Sequence, residues 1–308
     1  MKSINLTSIN RVIKTIIHSV INRWGLVFVI LFMSGCTIEN QQNNNLPQAR
    51  VQLAHGIDKS AGGVPSYIIT TANATYYLEK EGGGLSSMLD KEGIDWLGFH
   101  NEKGSGHKGE YRGFPNAIHK QDGNYFHALN TGTDLSSSVI EIESDQHVRI
   151  IFTSGNKKWQ GQWDFYPQRL DFTMSKVSKG YKYWVQYEGV PYGEMDDTDF
   201  WFSSGDGVNN NKHKKHLINE VFLGDLASPE WIAFGDVNSP RVLYLLHHEN
   251  DVHPDNYVSR PDMTVFGFGR SNKEKFLTTP QKFSLGFVES TNYKKVKSTI
   301  EKILPSKK

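Results

Sequence analysis

Between Val51 and about Val288 the chain alternates short apolar runs with clusters of Gly, Asn, Asp and Pro. Tyr67–Thr71, Ala74–Leu78, Val139–Ile142, Val148–Thr153, Leu170–Met174, Tyr183–Tyr187, Glu230–Phe234, Val242–His247 and Met263–Phe268 are each strand length and rich in β-branched or aromatic residues. Turn chemistry lies between them, at Glu81–Gly84, Lys91–Gly93, Gln121–Asn124 and Ser154–Asn156. Helical spacing is convincing at one place, where Val296, Ile300, Ile303 and Leu304 recur ahead of Pro305; this predicts a helix over 292–304. Many strands without intervening helices predict an all-β fold: a large antiparallel β-sandwich with a short C-terminal helix. No internal repeat or linker interrupts 51–290, so 51–308 reads as one domain. The polar stretch Gly205–His216 reads as a long loop.

The N-terminal segment has a different pattern. Lys2, Arg11, Lys14 and Arg23 precede the apolar run Trp24–Met33, which is the length of a signal-peptide core and too short to span a bilayer. It ends in Ser34-Gly35-Cys36, which resembles the bacterial lipoprotein cleavage box with Met33 where Leu is commoner. That resemblance implies a signal peptide over 1–35, lipidation of Cys36, and a polar tether to residue 50. The expected setting is the cell envelope, held to the membrane through the anchor at Cys36. Residues 1–35 hold four of the 34 basic residues and none of the 33 acidic ones, so the remainder carries a net charge of −3. No electrostatic case for a nucleic-acid partner survives. One Cys excludes a disulfide framework and a multi-thiolate metal site.

Four stretches carry candidate chemistry. Tyr111, Arg112 and Asn116 lie on a Gly–Pro framed loop, with His119 and His127 close behind. Arg112 has the fork to grip a carboxylate or sulfate, and Tyr111 or His119 can transfer a proton. The second stretch, Leu245–Asp255, places His247 and His248 on opposite faces if the strand continues. A divalent metal near His248, Asp251 and His253 is the less favoured reading there, and no cofactor is expected. In the third, Tyr181–Glu188, alternation puts Tyr183, Val185 and Tyr187 on one face and Trp184, Gln186 and Glu188 on the other. The aromatic stripe reads first as core, while Trp159, Trp163, Trp184, Trp201 and Trp231 sit among polar residues, where stacking on sugar faces is plausible. The fourth, Val265–Arg270, contains a Gly-x-Gly with no following helix. It is not a dinucleotide fingerprint, and Arg270 is a second anion clamp.

Gly84–Leu97 reads as a strand, a tight Asp-Lys-Glu-Gly turn and a returning strand. It resembles the opening hairpin of galactose-mutarotase-like super-sandwiches, which occur in polysaccharide lyases, glycosidases and epimerases. The phrases GEYRGFPN, YWVQYEG, PEWIAFGD, LLHHENDVHPD and MTVFGFGR resemble a secreted family found beside polysaccharide-degrading enzymes of marine bacteria, including oligosaccharide dehydratases of ulvan breakdown. The resemblance implies β-elimination from a uronate-containing oligosaccharide, by dehydration or by lyase-type cleavage. Such a reaction needs the carboxylate neutralised, a base for the proton beside it and an acid for the leaving oxygen. The candidates are Arg112 and Arg270 as clamps, His119 or His247 as base, and Tyr187 or Tyr111 as acid, with Asn116, His127 and Trp184 contacting the acidic saccharide. Two alternatives stay open. One is a glycoside hydrolase using paired carboxylates among Glu188, Glu194, Asp196 and Asp197. The other is a sugar-binding lipoprotein without catalysis.

Overall fold

The computed structural model describes residues 49–61, 63–98, 112–119, 122–128, 134–206, 214–215, 221–272 and 274–304. The predicted signal segment with Cys36, Tyr111 and most of the Gly205–His216 loop lie outside them. The strands are β1 (Gln52–Asp58), β2 (Val64–Thr70), β3 (Ala74–Glu79), β4 (Leu85–Asp90), β5 (Ser137–Glu143), β6 (Val148–Thr153), β7 (Trp159–Tyr166), β8 (Arg169–Val177), β9 (Val185–Gly189), β10 (Asp199–Ser203), β11 (Lys214–Lys215), β12 (Val221–Gly224), β13 (Trp231–Asp236), β14 (Val242–His247), β15 (Asp255–Ser259), β16 (Thr264–Phe268), β17 (Arg270–Ser271), β18 (Glu274–Lys275) and β19 (Gln281–Val288). An α-helix, α1 (Tyr293–Glu301), follows, its first turn capped by the Asn292 side chain on Lys295 N.

All strand pairings within the sheets are antiparallel. One layer is a nine-stranded sheet in the order β11-β10-β13-β14-β19-β8-β7-β6-β5. The other is made of two four-stranded sheets, β1-β2-β3-β4 and β12-β15-β16-β9. A short segment joins these two: Phe114 pairs with Leu85 of β4, and Gly113 pairs with Glu188 of β9. The layers enclose one core, in which Tyr76, Leu78 and Met88 meet Phe165, Phe172 and Trp163, and Tyr187, Phe266 and Phe268 meet Phe234, Leu245 and Phe283. The many-stranded antiparallel sandwich expected from the sequence is thus the observed architecture.

The unbroken apolar runs of β13 and β14 have a separate cause. Ile232, Phe234, Leu243 and Leu245 face the main core, whereas Trp231, Ala233, Val242, Tyr244 and Leu246 face α1 and pack on Tyr293, Val296 and Ile300. Both faces of these strands are covered, so period-2 alternation vanishes. Trp159, Trp163, Trp201 and Trp231 are all core residues, which removes them as sugar platforms. For Trp159 and Trp163 on β7, the polar neighbours Gln160 and Gln162 take the opposite, partly exposed face.

At the start of β10, Asp199 is buried directly opposite Asp236. One carboxylate oxygen accepts from Asp196 N at 2.9 Å. Burial, then the charges of Asp196 and Asp236, push its pKa up to about 8. The folded state therefore holds a proton that the unfolded chain releases near its ordinary value, and stability declines as pH rises from there through about 8. Asp199→Asn imitates the protonated acid. Its Tm should match the parent near pH ~4 and exceed it above pH ~8 by at least about 3–5 °C, the effect of a single tenfold change in proton affinity, worth about 1.4 kcal/mol. Parallel melting curves across that pH range check this, and equal Tm values at every pH would refute it.

Candidate functional site

The loop that joins the two smaller sheets also starts the site. Glu188 N donates to Gly113 O at 2.9 Å, Gln186 N to Pro115 O at 2.6 Å and Trp184 N to Ala117 O at 3.3 Å, so residues 113–117 run as an added edge along β9. Val185 and Tyr187 point into the core, and Trp184, Gln186 and Glu188 take the other face, as the sequence alternation predicts. On that face Glu188 is held from both sides. Asn116 Nδ2 donates to its Oε2 at 2.9 Å and Gln186 Nε2 to its Oε1 at 2.5 Å. Trp184 Nε1 donates to Asn116 O at 2.7 Å, which fixes the indole.

The neighbouring strand brings the cations. In β16, Gly267 stands opposite Gln186. A Cβ there would fall 2.9 Å from Arg270 Cδ, so the bare backbone is what lets the arginine stem fold back across the strand. Gly269, at φ +60°, makes the left-handed turn from β16 into β17. The hairpin β17–β18 then sets Arg270 directly opposite Lys275. Both cations lie over one ring: Arg270 Cζ is 5.3 Å and Lys275 Nζ 4.8 Å from the Trp184 centroid. Lys275 Nζ donates to His119 O at 2.8 Å, and the His119 ring stacks on His127 with centroids 6.0 Å apart. Trp184 is 5%, Lys275 6% and Arg270 8% exposed.

Like charges opposite one another in a hairpin destabilise it, and burying them adds a desolvation cost. The indole face offsets part of this through cation–π attraction. Burial pulls Lys275 down to about 7 against the opposing pull of Asp122. Burial, then the neighbouring His119, pull His127 down to about 3, so that ring is neutral at physiological pH. A pair of buried cations on an aromatic face, beside a carboxylate gripped by two amides, has the chemistry of a site for an anionic ring-shaped ligand.

Of the residues singled out from the sequence, Asn116, His119, His127, Trp184 and Arg270 come together here. Arg112 does not join them through its fork. Its Nη1 donates to Gly98 O at 3.1 Å and its Nη2 to Asp262 O at 2.5 Å, so the guanidinium ties two loops together. A fork committed to two backbone carbonyls does not match the clamp role expected of Arg112. Tyr187 lies on the core face, fully buried, and donates its hydroxyl to Trp96 O at 2.6 Å. Burial pushes its ionisation well above the usual range, and an acid role for it is withdrawn.

His247 is also removed as a base. Its Nδ1 meets Glu230 Oε2 at 2.6 Å and its Nε2 meets Gln281 Oε1 at 2.8 Å, two acceptors that suit a doubly protonated ring. Burial opposes the charge, but the Glu230 hydrogen bond and the acids around it prevail and raise the pKa. A ring with both nitrogens donating has no lone pair to offer. His248 does face away from His247, bonding Ser284 Oγ at 2.7 Å, while Asp251 accepts from His253 N and the His253 ring stacks on Phe276. Those three do not converge. The acidic group that does converge, Asp225, Glu230 and Asp255, has oxygens within 4.8 Å of one another. The Asp255 oxygens accept from Leu226 N and Gly269 N, and Glu230 accepts from His247 and Asp251 N. Burial, then Glu230, push Asp255 up to about 8, so the group keeps a proton rather than three charges.

Lys275 and Gln186 were not identified from sequence as members of the site. The signal for Lys275 was present: the stretch after Arg270 has turn chemistry, with Asn272 at φ +53°, and Arg270 pairs with Lys275.

No protein-family model and no curated protein sequence matches the chain. Among solved structures it is similar to the galactose mutarotase related enzyme of Lactobacillus acidophilus, at 8% identity and TM-score 0.46, over 74% of this chain and 98% of that one. It is similar to an aldose 1-epimerase candidate from Klebsiella pneumoniae, at 13% identity and TM-score 0.47, over 84% of this chain and 88% of that one. A TPR-domain containing protein from Parabacteroides distasonis also matches, at 9% identity and TM-score 0.48, over 78% of this chain and 54% of that one. These are likenesses of strand arrangement, and the chemistry has to come from this chain's own residues.

Proposed function

We propose that this chain is a carbohydrate-active enzyme that performs β-elimination on a uronate-containing oligosaccharide of the ulvan type, at the Trp184–Arg270–Lys275 face. The observation that carries the reading is the pair of opposed buried cations sharing one indole ring. Trp184 holds both cations against its ring, and Arg270 supplies a planar fork for the carboxylate. Neutralising the carboxylate makes the C5 proton removable, because negative charge then develops on a carboxylate already paired. A nitrogen base takes that proton, the C–H electron pair becomes the C4–C5 double bond, and the C4–O pair leaves with the oxygen, which picks up a proton. If that oxygen is a hydroxyl the reaction is dehydration; if it is glycosidic, the chain is cut. The His119 imidazole, stacked on His127 beside this face, serves at one of these proton transfers.

Paired-carboxylate hydrolysis fits less well. Glu188 lies in the cluster with both oxygens accepting amides, while Glu194, Asp196 and Asp197 are exposed on the turn before β10. Attachment to the envelope through Cys36 would place this site among polysaccharide fragments reaching the cell surface. Incubating the purified protein with ulvan-derived oligosaccharides tests the reading. New ultraviolet absorbance of unsaturated uronates is expected. New reducing ends without it would mean hydrolysis, and binding with neither would leave a sugar-binding module.

A further inference from the structure

We infer that Lys275 is the base that removes the C5 proton in this elimination, standing across the β17–β18 hairpin from the arginine that holds the carboxylate. The inference rests on the elimination reading above and goes beyond it by naming the group that moves the proton.

Arg270 and Lys275 are register partners, so a carboxylate in the Arg270 fork has Lys275 beside it. C5 is one bond from the carboxylate carbon, so its hydrogen is presented within reach of whatever flanks the fork. The Lys275 amine is oriented, since one N–H is committed to His119 O at 2.8 Å. It makes no ion pair with a carboxylate among the described residues, so no direct carboxylate contact pins it in the ammonium form. The groups facing it are the Arg270 guanidinium across the hairpin, the Trp184 ring, the carbonyl and ring of His119 from the joining loop, and Asp122 at longer range. Burial lowers its pKa to about 7 and Asp122 opposes that, so near neutrality much of the amine carries a lone pair. An ordinary lysine would stay protonated and useless as a base. In the step itself Nζ gains the C5 proton and becomes ammonium, which strengthens its attraction to the Trp184 face and to the developing negative charge. No oxidant or further reagent is required.

The experiment uses the intact protein with ulvan-derived oligosaccharides and three readouts. First, kcat/KM should rise to a plateau through about pH 7, whereas an ordinary lysine base would still be rising near pH ~10. Second, Lys275→Met should lower kcat about 10³-fold with KM changed only a few-fold, and its Tm should equal or exceed the parent's, because a buried charge has been removed. Lys275→Arg keeps the positive charge but has no neutral form, so it should be as inactive as the Met variant. If Lys275→Arg retains more than about a tenth of the activity, Lys275 acts only as a charge and the inference is overturned. Third, in protein carrying carbon-13 at the lysine ε position, the resonance missing from Lys275→Met should titrate at about 7, and a midpoint near ~10 overturns the inference. A parent protein that eliminates nothing from these oligosaccharides overturns the proposed function and this inference together. An active parent with an active Lys275→Arg variant overturns the inference alone.

Discussion

Arg241→Leu is expected to lower stability by about 3 kcal/mol, enough to reduce Tm by about 6–12 °C in a domain of this size. Arg241 precedes β14 and is fully buried, with Nη1 on Asp90 Oδ2 at 2.6 Å and on Glu92. Its Nε lies 3.1–3.2 Å from both oxygens of Glu289, just beyond β19. Asp90 in turn accepts from Glu92 N, Ile94 N and Trp96 Nε1. One guanidinium therefore joins the β4 turn of the smaller layer to the ends of the central strands β14 and β19 of the nine-stranded sheet, by contacts spanning some 150 residues of sequence. Removing it leaves the Asp90 carboxylate buried without its cation, and that uncompensated charge is the expensive part. Glu92 and Glu289 are half exposed and can turn to water, which keeps the loss nearer 3 than 5 kcal/mol, an order-of-magnitude figure. Arg241→Lys, which keeps the charge but loses the fork, should recover part of the loss. A Leu variant melting within about 2 °C of the parent would show that the cluster does not hold the layers together.

How far the sequence carries such arguments depends on the range of the contact. Strand existence was most legible where one face is wet, as in β6, where Val148, Ile150 and Phe152 are buried and their neighbours only partly so. Alternation across Tyr183–Glu188 assigned the faces of β9 correctly, and with them the inward Tyr187 and outward Trp184 and Glu188. What alternation does not give is what lies across the face. Tyr187 was an attractive proton donor until Trp96 O, 91 residues away in sequence, is seen to occupy its hydroxyl. Arg112 and His247 were misjudged for the same reason, since Gly98, Asp262, Glu230 and Gln281 arrive through tertiary pairing. The joining of the two smaller sheets at Gly113–Phe114 is equally invisible in a linear reading, although it explains why this Gly–Pro framed loop carries Asn116 and His119 into the site. Local chemistry, such as the Asp90–Gly93 turn or the Asn292 cap, is where residue type alone is sufficient.

Arg270→Met should lower kcat/KM on a uronate oligosaccharide about 10²–10³-fold, the scale of losing one fixed donor to a developing anion. Met keeps an unbranched stem able to lie over Gly267, so the hairpin and the Trp184 face should persist; removing one of two opposed cations should, if anything, relieve the β17–β18 pair. The discriminating measurement uses the same oligosaccharide with its carboxylate methyl-esterified. An ester carries no charge for a guanidinium to neutralise, and its α-proton is already more acidic. The parent should therefore lose its advantage, and the ratio of parent to variant should fall from the hundreds towards about one. A merely structural Arg270 would depress both substrates equally. Arg270→Lys should sit between parent and Met, since a point charge in that position attracts the carboxylate without the bidentate fork that orients it against Lys275. Should the Met variant turn over uronate and ester alike at parental rates, the anion is held elsewhere, and the opposed cations over Trp184 serve some purpose other than gripping an acidic sugar.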